Sequence, residues 1–382
     1  MNFGGAVRIN RFGLIVLACL ILVILLYSYS SSQGGRPIPI IVVVDDDPLL
    51  HSAFIRSSKG DPVSTMTSGK VSLRALLAGA IHSAVQGGLE VVAVRKGQSG
   101  ALDERMKGET KEGVKDSATQ GDFRSHKVMY YGLRKAFPEV KVISEEHTET
   151  PRDLSGVAPA NIVPSAEVIQ HMVTDEQVEA EDVSIWIDPL DATKEYTENL
   201  VNYVTTMVGV AVRGKPILGV VHRPFSDETY WAVVGHGYSP NLAQDKREEK
   251  NNADNKGPLK LIVSRSHAGN VANYTKSILP GEKVEIISAA GAGYKVLEVM
   301  LSRADAYVHV TAIKKWDLCA GHALLSALGG SMVTLNGGDQ DSGQDELIDF
   351  SGHTDPLNTR GILAYMDESS SMEKLKKIHV NQ

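Results

Sequence analysis

Asp182-Val-Ser-Ile-Trp-Ile-Asp188-Pro-Leu-Asp191-Ala-Thr193 decides how the rest of the chain is read. Val183, Ile185 and Ile187 alternate with Ser184 and Trp186, the period of a half-buried strand. Pro189 has no amide proton, so the ladder is expected to stop there. Asp188 and Asp191 are then delivered together at a strand's C-terminal end, where open α/β sheets bind ligands. Two aspartates this close repel one another unless a cation lies between them. Read alone, the stretch favours a plainer account, an Asp-rich turn capping the next helix. The remainder of the chain has to decide.

The chain has 382 residues, 42% hydrophobic and 22% charged, as in ordinary globular enzymes. Its net charge of -7 argues against binding a nucleic-acid polymer through a basic face. It leaves a small anionic substrate open, because site charge and net charge are separate matters. Cys19 and Cys319 are the two cysteines, one in an apolar run and one far away, so no disulfide is expected.

Phe12 to Tyr27 is apolar apart from Gly13 and follows Arg8 and Arg11. This predicts a short cytoplasmic tail (1–11), a single transmembrane signal anchor (12–29) and a stem (30–62). The bulk of the chain would then lie across the membrane. A cleaved signal peptide is the alternative, since Ser28-Tyr29-Ser30 offers small residues. Either way Asn273-Tyr-Thr275 becomes a usable glycosylation sequon at Asn273.

From Val71 to Val85 apolar residues recur at helical spacing, and Gly87-Gly88 is expected to stop that helix before a strand at Val91–Val94. Gly97 to Ser117 reads as a polar loop, Phe123 to Ala136 as a helix and Val140 to Ile143 as a strand ending in Glu145-Glu146. After the opening stretch, Tyr203–Val212, Ile217–His222 and Thr229–Val234 predict an antiparallel meander. Residues 240–258 are nearly free of apolar side chains and mark a seam between two halves. Beyond them strands and helices alternate, as in an α/β half. The helix near Cys319 would be capped by Asp317. The fold class is therefore α/β (α+β), one domain over 63–376 with an antiparallel-rich N-terminal half.

Several carboxylates thus collect at element ends. Ser144-Glu145-Glu146, Asp188-Pro-Leu-Asp191-Ala-Thr193 and Trp316-Asp317 followed by Ala320-Gly321 resemble the lithium-sensitive, magnesium-dependent inositol monophosphatase superfamily. The likeness covers roughly Val71 to Leu375. Thr193-Lys-Glu-Tyr196, Ser264-Arg-Ser-His267, Gly291-Ala-Gly293-Tyr-Lys295 and Lys314-Lys315-Trp-Asp317 look like its 3′(2′),5′-bisphosphate nucleotidase branch. The resemblance implies a layered α-β-α-β-α sugar-phosphatase-type fold. It also implies hydrolysis of adenosine 3′,5′-bisphosphate to AMP and phosphate in the secretory lumen. With the anchor, it implies a type II Golgi membrane protein.

It further assigns roles. Glu145, Asp188, Asp191, Asp317 and the Leu190 carbonyl would bind two or three Mg²⁺ ions, as hard oxygen ligands suit. Thr193 and Asp122 would activate water, and the amides of Ala192 and Thr193 would hold phosphate oxygens. Ser264, His267, Gly293 and Lys295 would contact the nucleotide, with Lys295 meeting the second phosphate. Two positions depart from the family: Ala192 commonly aligns with glycine, and Gly121 stands before Asp122 and is expected to loosen the approach to it. The rival readings are an inositol phosphate phosphatase and a non-catalytic lumenal binding protein.

Overall fold

The structure is a computed structural model describing residues 69–97, 105–109, 115–146, 154, 156–244, 257–265, 268–335, 347–367, 374, 375 and 378. All belong to one compact unit, Val63–Gln382. The expected tail, anchor and stem, residues 245–256 of the polar stretch, and His267 lie outside the described residues.

The chain opens with β1 (Lys70–Ser72), α1 (Leu73–Gly97), β2 (Arg105–Glu109), β3 (Lys115–Ala118), α2 (Gln120–Ala136) and β4 (Lys141–Ser144). Next come α3 (Ala166–His171), β5 (Gln177–Glu179), β6 (Val183–Asp191), α4 (Thr193–Thr197), β7 (Thr205–Val212), β8 (Lys215–Arg223), β9 (Glu228–Val233) and β10 (Gly237–Tyr238). Then follow α5 (Asn241–Gln244), β11 (Leu259–Ser264), α6 (Ala268–Ile278), β12 (Val284–Ala289), α7 (Ala292–Met300) and β13 (Ala306–His309). β14 (Ile313–Lys314), α8 (Lys315–Ala327), β15 (Gly330–Val333), β16 (Leu357–Asn358) and β17 (Ile362–Met366) complete it.

The six-stranded sheet has the order β10-β9-β8-β7-β6-β4. Its neighbours are antiparallel except for the parallel pair β4 and β6, so the expected meander is present. The five-stranded sheet has the order β12-β11-β13-β17-β15, parallel at β12-β11-β13 and antiparallel around β17.

Period-two alternation divides each sheet between two layers. Ile185, Ile187, Val208, Val210 and Val220 pack with the apolar side chains of α1 and α2. Trp186, Met207, Ala211 and Val221 join a second cluster with Val296 of α7 and Leu318 and Leu324 of α8. Ile262, Tyr307, Ile362 and Ala364 reach that same cluster from the five-stranded sheet. Leu261, Val263, Val308 and Leu363 face the opposite way, toward Val271 of α6. The layers therefore run helix, sheet, helix, sheet, helix. α8 comes close because Gly209 and Gly219 stand opposite each other on β7 and β8, where any Cβ would strike the backbone of Ala320.

Four local expectations are corrected. Gly87-Gly88 does not stop α1, which runs on to Gly97 with Val91 and Val94 buried on it as helix residues. A Cβ on Gly88 would lie 2.6 Å from the His222 ring and 2.9 Å from Pro224, so close packing outweighs the roughly 1 kcal/mol helix penalty of glycine. α1 is long and apolar enough to cross a membrane, yet it is a core helix, packed on α2, β7 and β8. Secondly, β6 survives Pro189: its register slips between Asp188 and Asp191, and Asp191 pairs again with Thr205. Thirdly, α8 starts at Lys315 with Lys314 as N-cap, so Asp317 sits in the first turn and does not cap it. Lastly, the stretch read as a polar loop contains the β2–β3 hairpin.

Candidate active site

The bulge at Pro189 builds the site. Ser125 of α2 donates its hydroxyl to the Pro189 carbonyl (2.6 Å), and the Leu190 amide donates to Asp188 (3.1 Å). The Pro189 carbonyl and the Leu190 amide thus find partners where the regular ladder is interrupted. Asp188 and Asp191, both buried, end up at the same edge. Parallel pairing of β4 sets Ser144 beside Ile187, and the Glu145 amide donates to the Ile187 carbonyl (3.0 Å). Glu145 is therefore delivered next to Asp188. Asp317 arrives from the first turn of α8.

The electrostatics record this convergence. Burial pushes the Asp188 carboxyl well above its usual range, and the fields of Glu145, Asp191 and Asp317 push the same way. Asp317 is likewise raised well above by burial, then by Glu145 and Asp191. Asp191 is also raised by burial, against the opposing pull of Lys295 and the Gly293 amide. Asp191 Oδ2 accepts from Thr205 Oγ1 (3.0 Å) and from the Gly293 amide (2.9 Å), which fixes its rotamer.

Asp122 and Thr193 meet as expected. Thr119 caps α2 and Asp122 closes the capping box: its Oδ2 accepts from the Thr119 amide (2.7 Å) and hydroxyl (2.6 Å). Its Oδ1 accepts from Thr193 Oγ1 at 3.0 Å. The same hydroxyl lies 3.1 Å from the Leu190 carbonyl, so its single proton has two acceptors. Gly121 sits in a closely packed corner. A Cβ there would stand 2.9 Å from Leu190 and 3.1 Å from the Tyr196 hydroxyl. Ala192 is in the left-handed region (φ 68°), which is the physical reason a glycine suits this position.

The nucleotide-side residues divide. Ser264, at the end of β11, has its hydroxyl 3.2 Å from His309 Nδ1. Gly293 supports Asp191 through its amide. Lys295 is placed differently from a partner reaching out to a second phosphate: it is buried, donates to the Gly291 carbonyl (2.7 Å), and lies 4.9 Å from the centre of the Tyr307 ring. Burial pulls its ammonium down to about 8 while Asp191, Asp317 and Glu195 resist. It therefore belongs to the carboxylate cluster. Asn273 is exposed on α6, while the Thr275 hydroxyl turns inward onto the Val271 carbonyl (3.0 Å).

Sequence reasoning missed Thr119, Thr205 and Arg265 as supports of the site. Thr119-Gln-Gly-Asp122 has capping-box spacing and was findable. Thr205 has no local signal, since only the bulged register brings it to Asp191.

The donor set suits a hard cation: carboxylates and a backbone carbonyl, gathered where their mutual repulsion is least screened. Among the described residues, no three Asp, Glu, His or Cys side chains already stand at the spacing of a closed cage. Glu145 stands close enough to Asp188 to help raise the Asp188 carboxyl. Chemically, this is an acidic cluster beside a hydroxyl–carboxylate pair, an arrangement able to activate water next to a bound anion.

Known proteins point the same way. Residues 73–377 match the model of the inositol monophosphatase family. The inositol monophosphatase 3 of Xenopus tropicalis is 42% identical over 386 residues, covering 98% of this chain and 97% of that protein. The human Golgi-resident adenosine 3′,5′-bisphosphate 3′-phosphatase is 41% identical over 342 residues, covering 87% of this chain and 88% of its own. In fold, the crystal structure of CysQ from Bacteroides thetaiotaomicron superposes with a TM-score of 0.53 at 19% identity, over 78% of this chain and 99% of that one. The chain belongs to the inositol monophosphatase family, and is a phosphatase of that superfamily.

Proposed function

We propose that the chain is a magnesium-dependent phosphomonoesterase that removes the 3′-phosphate of adenosine 3′,5′-bisphosphate, leaving AMP and phosphate. The observation that carries this reading is the convergence of Asp188, Asp191, Asp317 and Glu145 beside the Thr193–Asp122 pair. Glu145, Asp188, Asp191, Asp317 and the Leu190 carbonyl would hold two or three ions. Bound there, Mg²⁺ supplies neutralisation of the phosphate oxygens and acidification of water.

The chain's own groups do the rest. Asp122 is held by Thr119 through Oδ2, so Oδ1 is aimed at Thr193. As the Thr193 proton passes to Asp122 Oδ1, Thr193 Oγ takes a proton from the attacking water. The amides of Ala192 and Thr193 receive the phosphate oxygens. Ser264, whose hydroxyl lies beside His309, would contact the nucleoside in this reading. His267 is the remaining nucleotide contact in this reading, and Gly293 acts through Asp191.

The resemblance to a Golgi-resident bisphosphate phosphatase supports placing the catalytic domain in the Golgi lumen, held by residues 12–29, with a glycan on exposed Asn273. A second reading, an inositol phosphate phosphatase, is favoured by the relatives that carry that name.

One assay separates the two. The lumenal domain is offered adenosine 3′,5′-bisphosphate and inositol 1-phosphate, with Mg²⁺ and with or without Li⁺. The expected result is Mg²⁺-dependent, Li⁺-inhibited phosphate release from the nucleotide. Release from the inositol ester alone overturns the substrate; no release from either, in folded protein, favours a binding protein.

A further inference from the structure

α4 is only five residues long, begins at left-handed Ala192 and has no side-chain cap. A non-glycine residue persists in that conformation only where its surroundings over-determine it. Two arginines supply the constraint. Arg95 of α1 donates to Asn199 (3.1 Å) and stands 5.7 Å from the centre of the Tyr196 ring. Arg265 comes from the other sheet. It directly follows Ser264, its amide donates to the Ala289 carbonyl (3.0 Å), and its Nη1 donates to both Glu195 (2.8 Å) and Glu198 (3.0 Å).

Resting on the phosphatase reading above, we propose that Arg265 is a positioning residue: it ties the nucleotide-side end of β11 to the strained Ala192–Thr193 turn, and so holds Thr193 on Asp122. The tie joins two places that act on opposite ends of one substrate. Glu195 is largely buried and also acts on Lys295, so the contact is continuous with the carboxylate cluster. Two carboxylates on one guanidinium leave the group locally negative, which makes it a strut and a poor receptor for phosphate. Arg265 keeps 40% side-chain exposure, so its replacement leaves the core untouched.

The test compares Arg265→Gln, Arg265→Lys, and Arg265→Gln combined with Ala192→Gly. Displacing the turn is expected to lower kcat about 10- to 100-fold in Arg265→Gln, with KM changed less than about threefold. Arg265→Lys keeps most of kcat. Ala192→Gly removes the conformational penalty and returns about fivefold of the loss in the double variant. Amide hydrogen exchange of residues 194–199 should quicken in Arg265→Gln and slow again in the double variant. The proposal is overturned if exchange there is unchanged. It is also overturned if Arg265→Gln raises KM only for the bisphosphate, which would make Arg265 a direct contact. If the unaltered protein releases no phosphate from either ester, the functional reading fails, and the exchange data still decide the tie.

Discussion

The two sheets bring different chemistry to their shared edge. The six-stranded sheet, with α2, contributes buried carboxylates whose rotamers are pinned: Asp122 by Thr119, Asp191 by Thr205 and Gly293, Asp188 by the Leu190 amide. The five-stranded sheet contributes hydroxyl, imidazole and guanidinium groups that keep partial exposure: Ser264, His309 and Arg265. Pinned acids in a desolvated corner suit bond-breaking, because preorganised charge needs no reorganisation during reaction. A partly exposed hydroxyl and imidazole suit recognition, while Arg265, engaged by Glu195 and Glu198, suits bracing the turn. On the proposed function, the acid side would serve chemistry and Ser264 would serve choice.

The sharpest way to break that division is Asp188→Asn. Losing the central carboxylate should cost about 10³-fold or more in turnover. The metal-free protein should melt no lower, because a repelled buried carboxyl has gone. Substantial residual Mg²⁺-dependent activity, measured in steady-state assays, would place the acids outside the chemistry.

Thr193→Ala should lower kcat about 10²- to 10³-fold, with Thr193→Ser staying within about tenfold of the unaltered protein, if a positioned hydroxyl relays the proton. Equal losses in both variants would mean that packing and not proton transfer is at stake.

On the recognition side the expected effect is smaller. Ser264→Ala should raise KM for adenosine 3′,5′-bisphosphate about fivefold, the value of one hydrogen bond, and leave the inositol 1-phosphate constants alone. A matching loss on both esters would show that the second sheet does not choose.

The smallest effect is a pH dependence of stability. Asp188 and Asp317 are raised in the folded state, so the folded protein holds protons that the unfolded chain has released. Their contribution is full below the unfolded value near 4 and is lost as pH rises through the raised folded values. In a chelator, the melting temperature should therefore fall slightly as pH rises from about 5. Mg²⁺ should flatten the fall, since a bound cation replaces those protons. A melting temperature that rises with pH in the chelator would contradict the buried-acid description.

The acids were legible as a set only through the resemblance of three separated motifs, since each alone reads as a turn, a cap or surface charge. Asp188 and Asp191 follow an alternating strand, Glu145 ends another, and Asp317 is held by its place beside Trp316. The close packing at Gly121 was not legible, because its neighbours Leu190 and Tyr196 are distant in sequence. Thr205 and Arg265 carry no local mark, and their partners lie 14 and 70 residues away.

The amino-acid sequence alone determined the alternation of both sheets and the meander, because these follow from side-chain period and residue type, while the carboxylate set was read from the family resemblance. Tertiary structure alone decided three things. α1 runs through Gly87-Gly88 because His222 and Pro224 leave no room for a side chain. β6 runs past Pro189 because a slipped register and Ser125 satisfy what proline cannot. Lys295 turns inward because a buried ammonium is tolerable only beside carboxylates and a carbonyl, and only the folded chain brings Asp191, Asp317 and Gly291 to it.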